Sequence, residues 1–396
     1  SFLERRPSAQ RAKTRPDQVW NELREKKPPL LAGVDPGQLQ LLIARGSLDL
    51  VQLGRDRLID SAGRSLFVLE GQLALAAFSP SALADEVRVQ RGFIPGDRES
   101  ERREFVHREA KGPLMRRAER NLTWLEPGDL CDMEQLRPLL FACNPTHLPT
   151  AIYAVTPASV LSLSDDGLSL LREASESVRA LIDQGAEKVA TRLQRSVGTQ
   201  GDIVHFYLRE GLSVATRLRV VDLDRCTFCK ECEVACEQRY GAARLKVEGK
   251  VLGSWGFADT CRTCIDQRCV QVCGYQAINY DSQKKEVVIN EELCTGCSMC
   301  SLACPYDAIS MQVLEQKPLF AGLLNQRIGH GRRDREEAKT FVAPKGRFRV
   351  ASKCDHCVGH GGEQACITAC TKDALLELTP EEVFFRPREN LTRSAM

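Results

Sequence analysis

The sequence contains no run of about 18 consecutive apolar residues, the length a membrane helix requires, and so offers no transmembrane helix. It has no charge excess either: 55 Lys and Arg stand against 53 Asp and Glu, a formal net charge of +2, so no whole-chain field favours nucleic acid. An apolar stretch is missing after Arg5 and Arg6, where PSAQRAKTRPDQ stands in place of a signal-peptide core. The expected location is cytoplasmic, with export alongside a signal-bearing partner as the alternative. Cysteine is nearly absent before residue 226: only Cys131 and Cys143 occur there, outside any spaced motif, and both read as ordinary buried thiols.

What is present points to several folded domains, since 396 residues with 43% hydrophobic content can support real cores. Residues 1–30 are polar, basic and proline-punctuated, and read as an arm. LQLLIARG is a short helical pattern, and RSLFVLEGQLALAAF reads as strand, tight turn and strand, a hairpin signal. Residues 80–120 are densely charged and read as a surface insertion, after which LTWLEPGDL and PTAIYAVTPASVLSLS resume strand patterns. Ser164, Asp165 and Asp166 form a helix start. Leu171, Ala174, Val178, Leu181, Val189 and Leu193 then recur at helical spacing to residue 197. That stripe serves either its own domain's core or a homodimer seam through 165–197.

A roll of short strands closed by a long helix resembles the cyclic-nucleotide-binding domain of the catabolite-activator type over residues 31–200. That family holds phosphate with a Gly-Glu pair and an arginine, because an anion needs backbone donors and a cation. Here Cys131-Asp132 and Leu148 occupy those places, and no nucleotide binding is expected. The helix-turn-helix of the activators has no counterpart. Residues 201–216 read as a linker into the cysteine-rich half.

The other 16 cysteines fall into four quartets between Cys226 and Cys370, unlike an extracellular disulfide framework. Cys226, Cys229, Cys232 and Cys236, and again Cys294, Cys297, Cys300 and Cys304, follow the C-x2-C-x2-C-x3-C spacing of bacterial ferredoxins. Three thiolates on a tight loop can cap one face of a [4Fe-4S] cube, while the last, expected to open a helix, reaches another. Cys261, Cys264, Cys269 and Cys273, and Cys354, Cys357, Cys366 and Cys370, widen only the middle gap. The repeat continues past the cysteines as GYQAI, PYDAI and TKDAL, but group one departs with EQRYGA. Strand patterns RLRVVDLD and KEVVINEEL precede groups one and three.

Residues 217–378 resemble the four-cluster ferredoxin subunits of molybdopterin oxidoreductases, of the dimethyl-sulfoxide reductase and formate dehydrogenase type, with 379–396 as a tail. The resemblance implies an α+β chain: an N-terminal β-roll with a long closing helix, then a pseudo-symmetric double ferredoxin domain with four [4Fe-4S] clusters. It also implies the ligand sets Cys226/Cys229/Cys232 with Cys370, Cys354/Cys357/Cys366 with Cys236, Cys261/Cys264/Cys269 with Cys304, and Cys294/Cys297/Cys300 with Cys273. Zinc ribbons also use C-x2-C pairs, but four quartets sharing the x3-C ending fit cubes better. His356 and His360 read as loop residues able to tune potential by hydrogen bonding.

With every cluster ligated by cysteine, no open iron position and no acid-base pair are evident, so no catalytic or organic-cofactor residue is assigned. The expected function is a non-catalytic electron-transfer subunit. It would relay single electrons between a catalytic redox subunit, either a molybdopterin oxidoreductase or a [NiFe] hydrogenase, and an electron carrier or quinone-linked subunit. The alternative is an iron-sulfur redox sensor signalling through the N-terminal domain. RIGHGRRDREEAKTFVAPKGRFRV, between groups three and four, and the tail are candidate docking segments.

Overall fold

A computed structural model describes residues 16–93, 97–314 and 348–385. The chain divides into two compact units, Ser1–Leu212 and Ser213–Met396. Residues 1–15 of the arm, most of the basic stretch between groups three and four, and the end of the tail lie outside the described residues. Among the described residues no helix is long and apolar enough to cross a membrane.

The first unit is built on eight strands: β1 (Leu48–Leu53), β2 (Leu58–Ile59), β3 (Ser65–Glu70), β4 (Leu73–Ala77), β5 (Arg120–Leu125), β6 (Leu130–Cys131), β7 (Thr150–Ala154) and β8 (Ala158–Leu163). They form two four-stranded sheets, β1-β8-β3-β6 and β2-β7-β4-β5, the roll expected from the sequence. The turn at Glu70-Gly71 differs from the expected hairpin, because β3 and β4 belong to different sheets and the turn carries the chain from one to the other. Gly71 has φ +80°, and a Cβ there would stand 2.2 Å from the Pro157 carbonyl oxygen. Gly71→Ala is therefore expected to destabilise this unit by at least about 2 kcal/mol, read as a lower unfolding midpoint.

Helix Pro16–Lys26 corrects the reading of the arm, since Val19 and Leu23 are buried in the core with Leu30, Leu48 and Leu163. The charged segment 80–120 folds into helices Pro80–Arg91, Arg98–Lys111 and Leu114–Arg117 rather than a wholly solvated insertion. It buries Glu86 against Arg117 at 2.6 Å and His107 at 3.3 Å.

The long helix is two helices, Asp165–Ala174 and Glu176–Arg195. Ser175 takes an extended backbone, and its hydroxyl accepts from the Val178 N–H as the cap of the second helix. The stripe Leu171, Val178, Val189 and Leu193 is buried within its own unit, so a dimer through 165–197 would have to use other faces. A further helix, Thr199–Arg209, packs on β5 and occupies most of the first half of the expected linker 201–216. Cys131 and Cys143 are buried here, and burial first of all pushes their thiols up to about 12 and about 11.

The second unit carries β9 (Leu218–Asp222), β10 (Lys246–Leu252), β11 (Trp255–Asp259), β12 (Ile278–Asp281), β13 (Glu286–Ile289), β14 (Ile309–Leu314), β15 (Phe348–Lys353) and β16 (Leu375–Leu378). They pair as β10-β11-β9-β16, β12-β13 and β14-β15. As the sequence pattern indicates, β9 feeds the first cysteine loop and β13 the third.

Candidate metal centres

Each cysteine loop is followed by a short helix: Glu231–Tyr240, Arg268–Gln271, Met299–Ala303 or Ala365–Thr368. Entry to the first three helices is made by a left-handed residue, Lys230, Gln267 or Ser298, and in the fourth loop His356 and Cys357 take that conformation. Non-glycine residues adopt it at a cost of about 1–3 kcal/mol each, and such strain collects at functional sites. The last cysteine of each quartet does not open a helix as expected. Cys236 lies inside one, Cys304 caps the end of one, and Cys273 and Cys370 lie just beyond theirs.

Three cavities in this unit are walled by cysteine sulfur. Cys226, Cys229, Cys232 and Cys370 line one. Cys261, Cys264, Cys269 and Cys304 line a second. Cys294, Cys297, Cys300 and Cys273 line a third. The remaining four cysteines, Cys236, Cys354, Cys357 and Cys366, are all buried, and charge on Cys354 and Cys357 is felt at both Cys236 and Cys366.

The extended repeat acquires a physical meaning here. The third residue of GYQAI, PYDAI and TKDAL is Gln276, Asp307 or Asp373, each left-handed at φ 53°, 51° and 49°. The Ala and aliphatic residues that follow line the three cavities: Ala277 and Ile278 the third, Ala308 and Ile309 the second, Ala374 and Leu375 the first. The left-handed step turns the chain so that this pair covers the space the preceding cysteine enters. In group one Gly241 makes the corresponding turn after EQRY, with φ 76°.

The sulfur environment suits a thiolate-bound cluster. Backbone N–H groups donate to sulfur from Arg244 to Cys236, Ala351 to Cys294 and Ala374 to Cys370, each at 3.3 Å, and from Phe228 to Cys226 at 3.5 Å. Such bonds favour the anionic form and tune cluster potential. Without metal, burial pushes the Cys232 and Cys300 thiols up to about 11 and those of Cys269 and Cys366 to about 12. A coordinating metal removes that proton outright. Among the described residues no group of three or more His, Cys, Asp or Glu side chains is placed to hold a single metal ion.

Charged residues that motif reading missed surround the buried sulfurs. Arg219, 3% exposed on β9, donates to Gln364 Oε1 at 2.5 Å and to Glu377 Oε2 at 3.1 Å. Burial opposes its charge, but neighbouring Cys366, Glu377, Cys354 and Cys357 outweigh burial and raise its pKa. Lys353 donates to Glu286 Oε1 at 3.0 Å and to the Cys354 carbonyl at 2.7 Å. Glu286 is fully buried; burial alone would raise its carboxyl, yet the bond from His356 and the charge of Lys353 hold it down at about 2. His356 thus spends its ring on a carboxylate, Nδ1 to Glu286 Oε2 at 2.6 Å, rather than on sulfur. His360 packs edge-on against Tyr240 at 5.0 Å. Each is a charge within a strand, Arg219 in β9, Glu286 at the start of β13 and Lys353 at the end of β15, where the motif spacing does not reach.

The 4Fe-4S dicluster domain matches residues 254–320. Among characterised proteins, the chain is 30% identical to hydrogenase-4 component A of Escherichia coli (strain K12), across 40% of this chain and 80% of that protein. It is 31% identical to the electron transport protein HydN of the same organism, across 40% of this chain and 86% of that one. Against a chain of the anaerobic dimethyl sulfoxide reductase of Haemophilus influenzae, identity is 28% across 39% of this protein and 69% of that one. Among solved structures, the sensor domain of the transcriptional regulator DNR from Pseudomonas aeruginosa is 15% identical, with TM-score 0.24, across 44% of this chain and 93% of that one. The Thermus thermophilus catabolite activator protein is 16% identical, with TM-score 0.22, across 56% of this chain and 76% of that one. Identity to HydN across most of its length, together with the matched dicluster domain, makes this chain a member of the ferredoxin-type [4Fe-4S] electron-transfer proteins.

Proposed function

We propose that this chain is a wire of four [4Fe-4S] clusters, serving as the non-catalytic electron-transfer subunit of an oxidoreductase complex. When bound, each cluster supplies a one-electron couple whose potential is set by burial, charge and hydrogen bonds to sulfur. The ligand sets are Cys226/Cys229/Cys232/Cys370, Cys261/Cys264/Cys269/Cys304, Cys294/Cys297/Cys300/Cys273 and Cys354/Cys357/Cys366/Cys236. The observation that carries this reading is the composition of the three cavities, each walled by three cysteines of one quartet and the last of another. First pairs with fourth and second with third, which makes the unit a pseudo-symmetric double ferredoxin. We take 31–200 and 217–378 as the extents of the two domains.

Exposure supports two ends for the wire. Of the sixteen quartet cysteines only Cys229 and Cys297 are exposed. They belong to the first and third cavities, with exposed Phe228 beside one and exposed Met299 and Leu302 beside the other. Electrons would enter and leave there, exchanging with a catalytic redox subunit and an electron carrier or quinone-linked subunit. The expected catalytic class is a molybdopterin oxidoreductase or a [NiFe] hydrogenase, and relatives named as a hydrogenase component and a dimethyl sulfoxide reductase chain support a catalytic partner of this kind. The relatives are electron-transfer proteins and oxidoreductase subunits, which favours a wire over a redox sensor.

In the N-terminal roll, Asp132 accepts from the Glu134 and Gln135 N–H groups at 3.0 and 3.2 Å. Its carboxylate thus takes donors that a phosphate would need, which supports a roll without a nucleotide site. Iron and acid-labile sulfide measured on anaerobically purified protein test the wire. The expected result is about sixteen of each per chain, four of each for every cube, and a value near half that overturns it.

A further inference from the structure

We propose that Lys353 is the potential-setting charge of the wire's central step, held by Glu286 between the second and fourth cysteine loops so that its ammonium favours the reduced state on both sides. The inference rests on the four-cluster reading above. Lys353 lines the second cavity beside Cys261, Cys264, Cys269 and Cys304. Its Nζ donates to the backbone carbonyl of Cys354, a cysteine of the fourth group, at 2.7 Å. One cation therefore faces two cysteine sets, and its side chain is only 2% exposed.

Glu286 fixes it there. One carboxylate oxygen accepts from Lys353 at 3.0 Å and the other from His356 at 2.6 Å. Thr263, inside the second loop, also donates to Glu286 at 3.1 and 3.2 Å, while His356 lies inside the fourth. The carboxylate stitches the two loops together through Thr263 and His356, while of the pair only Lys353 lines the second cavity. A positive charge in a dry interior acts strongly on a neighbouring cluster, because little water screens it. Adding an electron to a cluster adds negative charge, so a neighbouring cation raises its potential and a neighbouring anion lowers it.

Lys353→Met keeps the length of the side chain and removes the charge. In an anaerobic redox titration followed by EPR, two of the four midpoint potentials should fall and two should stay. The expected fall changes the reduced-to-oxidised ratio about tenfold at fixed ambient potential, about 59 mV for a one-electron couple. Lys353→Arg should restore both, and Glu286→Gln should move the same two upward, a reversal that loss of packing would not produce. Unmoved potentials in a Lys353→Met protein that retains its full iron content overturn the inference. If Lys353→Met assembles poorly, Glu286→Gln decides: an upward pair supports the assignment, and no shift or a fall overturns it. Iron well below four clusters in the unmutated chain would overturn the four-cluster reading instead.

Discussion

Stripping iron from the protein under anaerobic conditions is expected to unfold residues 213–396 while residues 1–212 keep a cooperative unfolding transition. The two units differ in what fills them. The first has two apolar clusters built from side chains such as Leu48, Leu163, Ile182, Leu66, Leu122 and Val189. The second has clusters in which Cys232, Cys236 and Cys366, or Cys294 and Cys300, stand where aliphatic residues would otherwise pack. Three cavities in this unit are lined by cysteines, and apoprotein would have to leave them empty, flood them or collapse them.

Backbone conformation points the same way. Among the described residues the second unit holds eleven non-glycine residues at positive φ and the first holds three. At about 1–3 kcal/mol each, the cysteine loops depend on something bound to hold their shape. A domain's net stability is only about 5–15 kcal/mol, and metal binding that shapes its own site is folding free energy. Loss of the clusters should therefore exceed what the second unit can absorb. Circular dichroism and limited proteolysis before and after chelation check this; a second unit that stays protease-resistant and cooperative without iron contradicts it.

The cysteine spacing made the four quartets legible before any coordinates, because a cysteine loop is local and its register is written in adjacent residues, whereas the pairing of one quartet's last cysteine with another's loop came from the family resemblance. The repeat ending in Ala and an aliphatic was legible too, although its cause, the left-handed turn at Gln276, Asp307 and Asp373, is a backbone property that those residue types do not announce. Two kinds of feature were not legible. One was long-range sheet assignment: Glu70-Gly71 has the composition of a hairpin turn, and only the pairing of β3 with β8 and of β4 with β7 shows that it crosses between sheets. The other was the polar interior. Glu286 opens a strand directly after Lys284 and Lys285, with nothing local to mark it as buried, and its partners Lys353 and His356 lie more than sixty residues away. The arm was misread for a related reason: Val19, Trp20 and Leu23 are few apolar residues among polar and charged neighbours, but Val19 and Leu23, one turn apart, face one side of a short helix and reach the core.

Replacing Cys370 with Ala should damage the cluster of Cys226, Cys229 and Cys232 rather than the one held by its own quartet. Cys370 lines the first cavity with those three cysteines, and its sulfur accepts from the Ala374 N–H, which belongs to the same wall. Cys236, the last cysteine of the first quartet, instead lies within electrostatic reach of Cys354 and Cys357. A single substitution alone would not separate this crossed ligation from ligation within a quartet, since either loses iron. Pairs of substitutions do. With crossed ligation, adding Cys226→Ala to Cys370→Ala strikes a cluster already damaged, and iron should fall by no more than the roughly four atoms of one cube. Adding Cys354→Ala to Cys370→Ala strikes two, and the loss should approach about eight. Ligation within quartets predicts the reverse order, so iron content and the EPR signals of the two double variants decide between them. The crossed arrangement ties a residue near the start of the second unit to one near its end. The Cys354→Ala, Cys370→Ala protein should therefore also lose more thermal stability than the Cys226→Ala, Cys370→Ala protein, by several kcal/mol if each bound cluster contributes folding free energy.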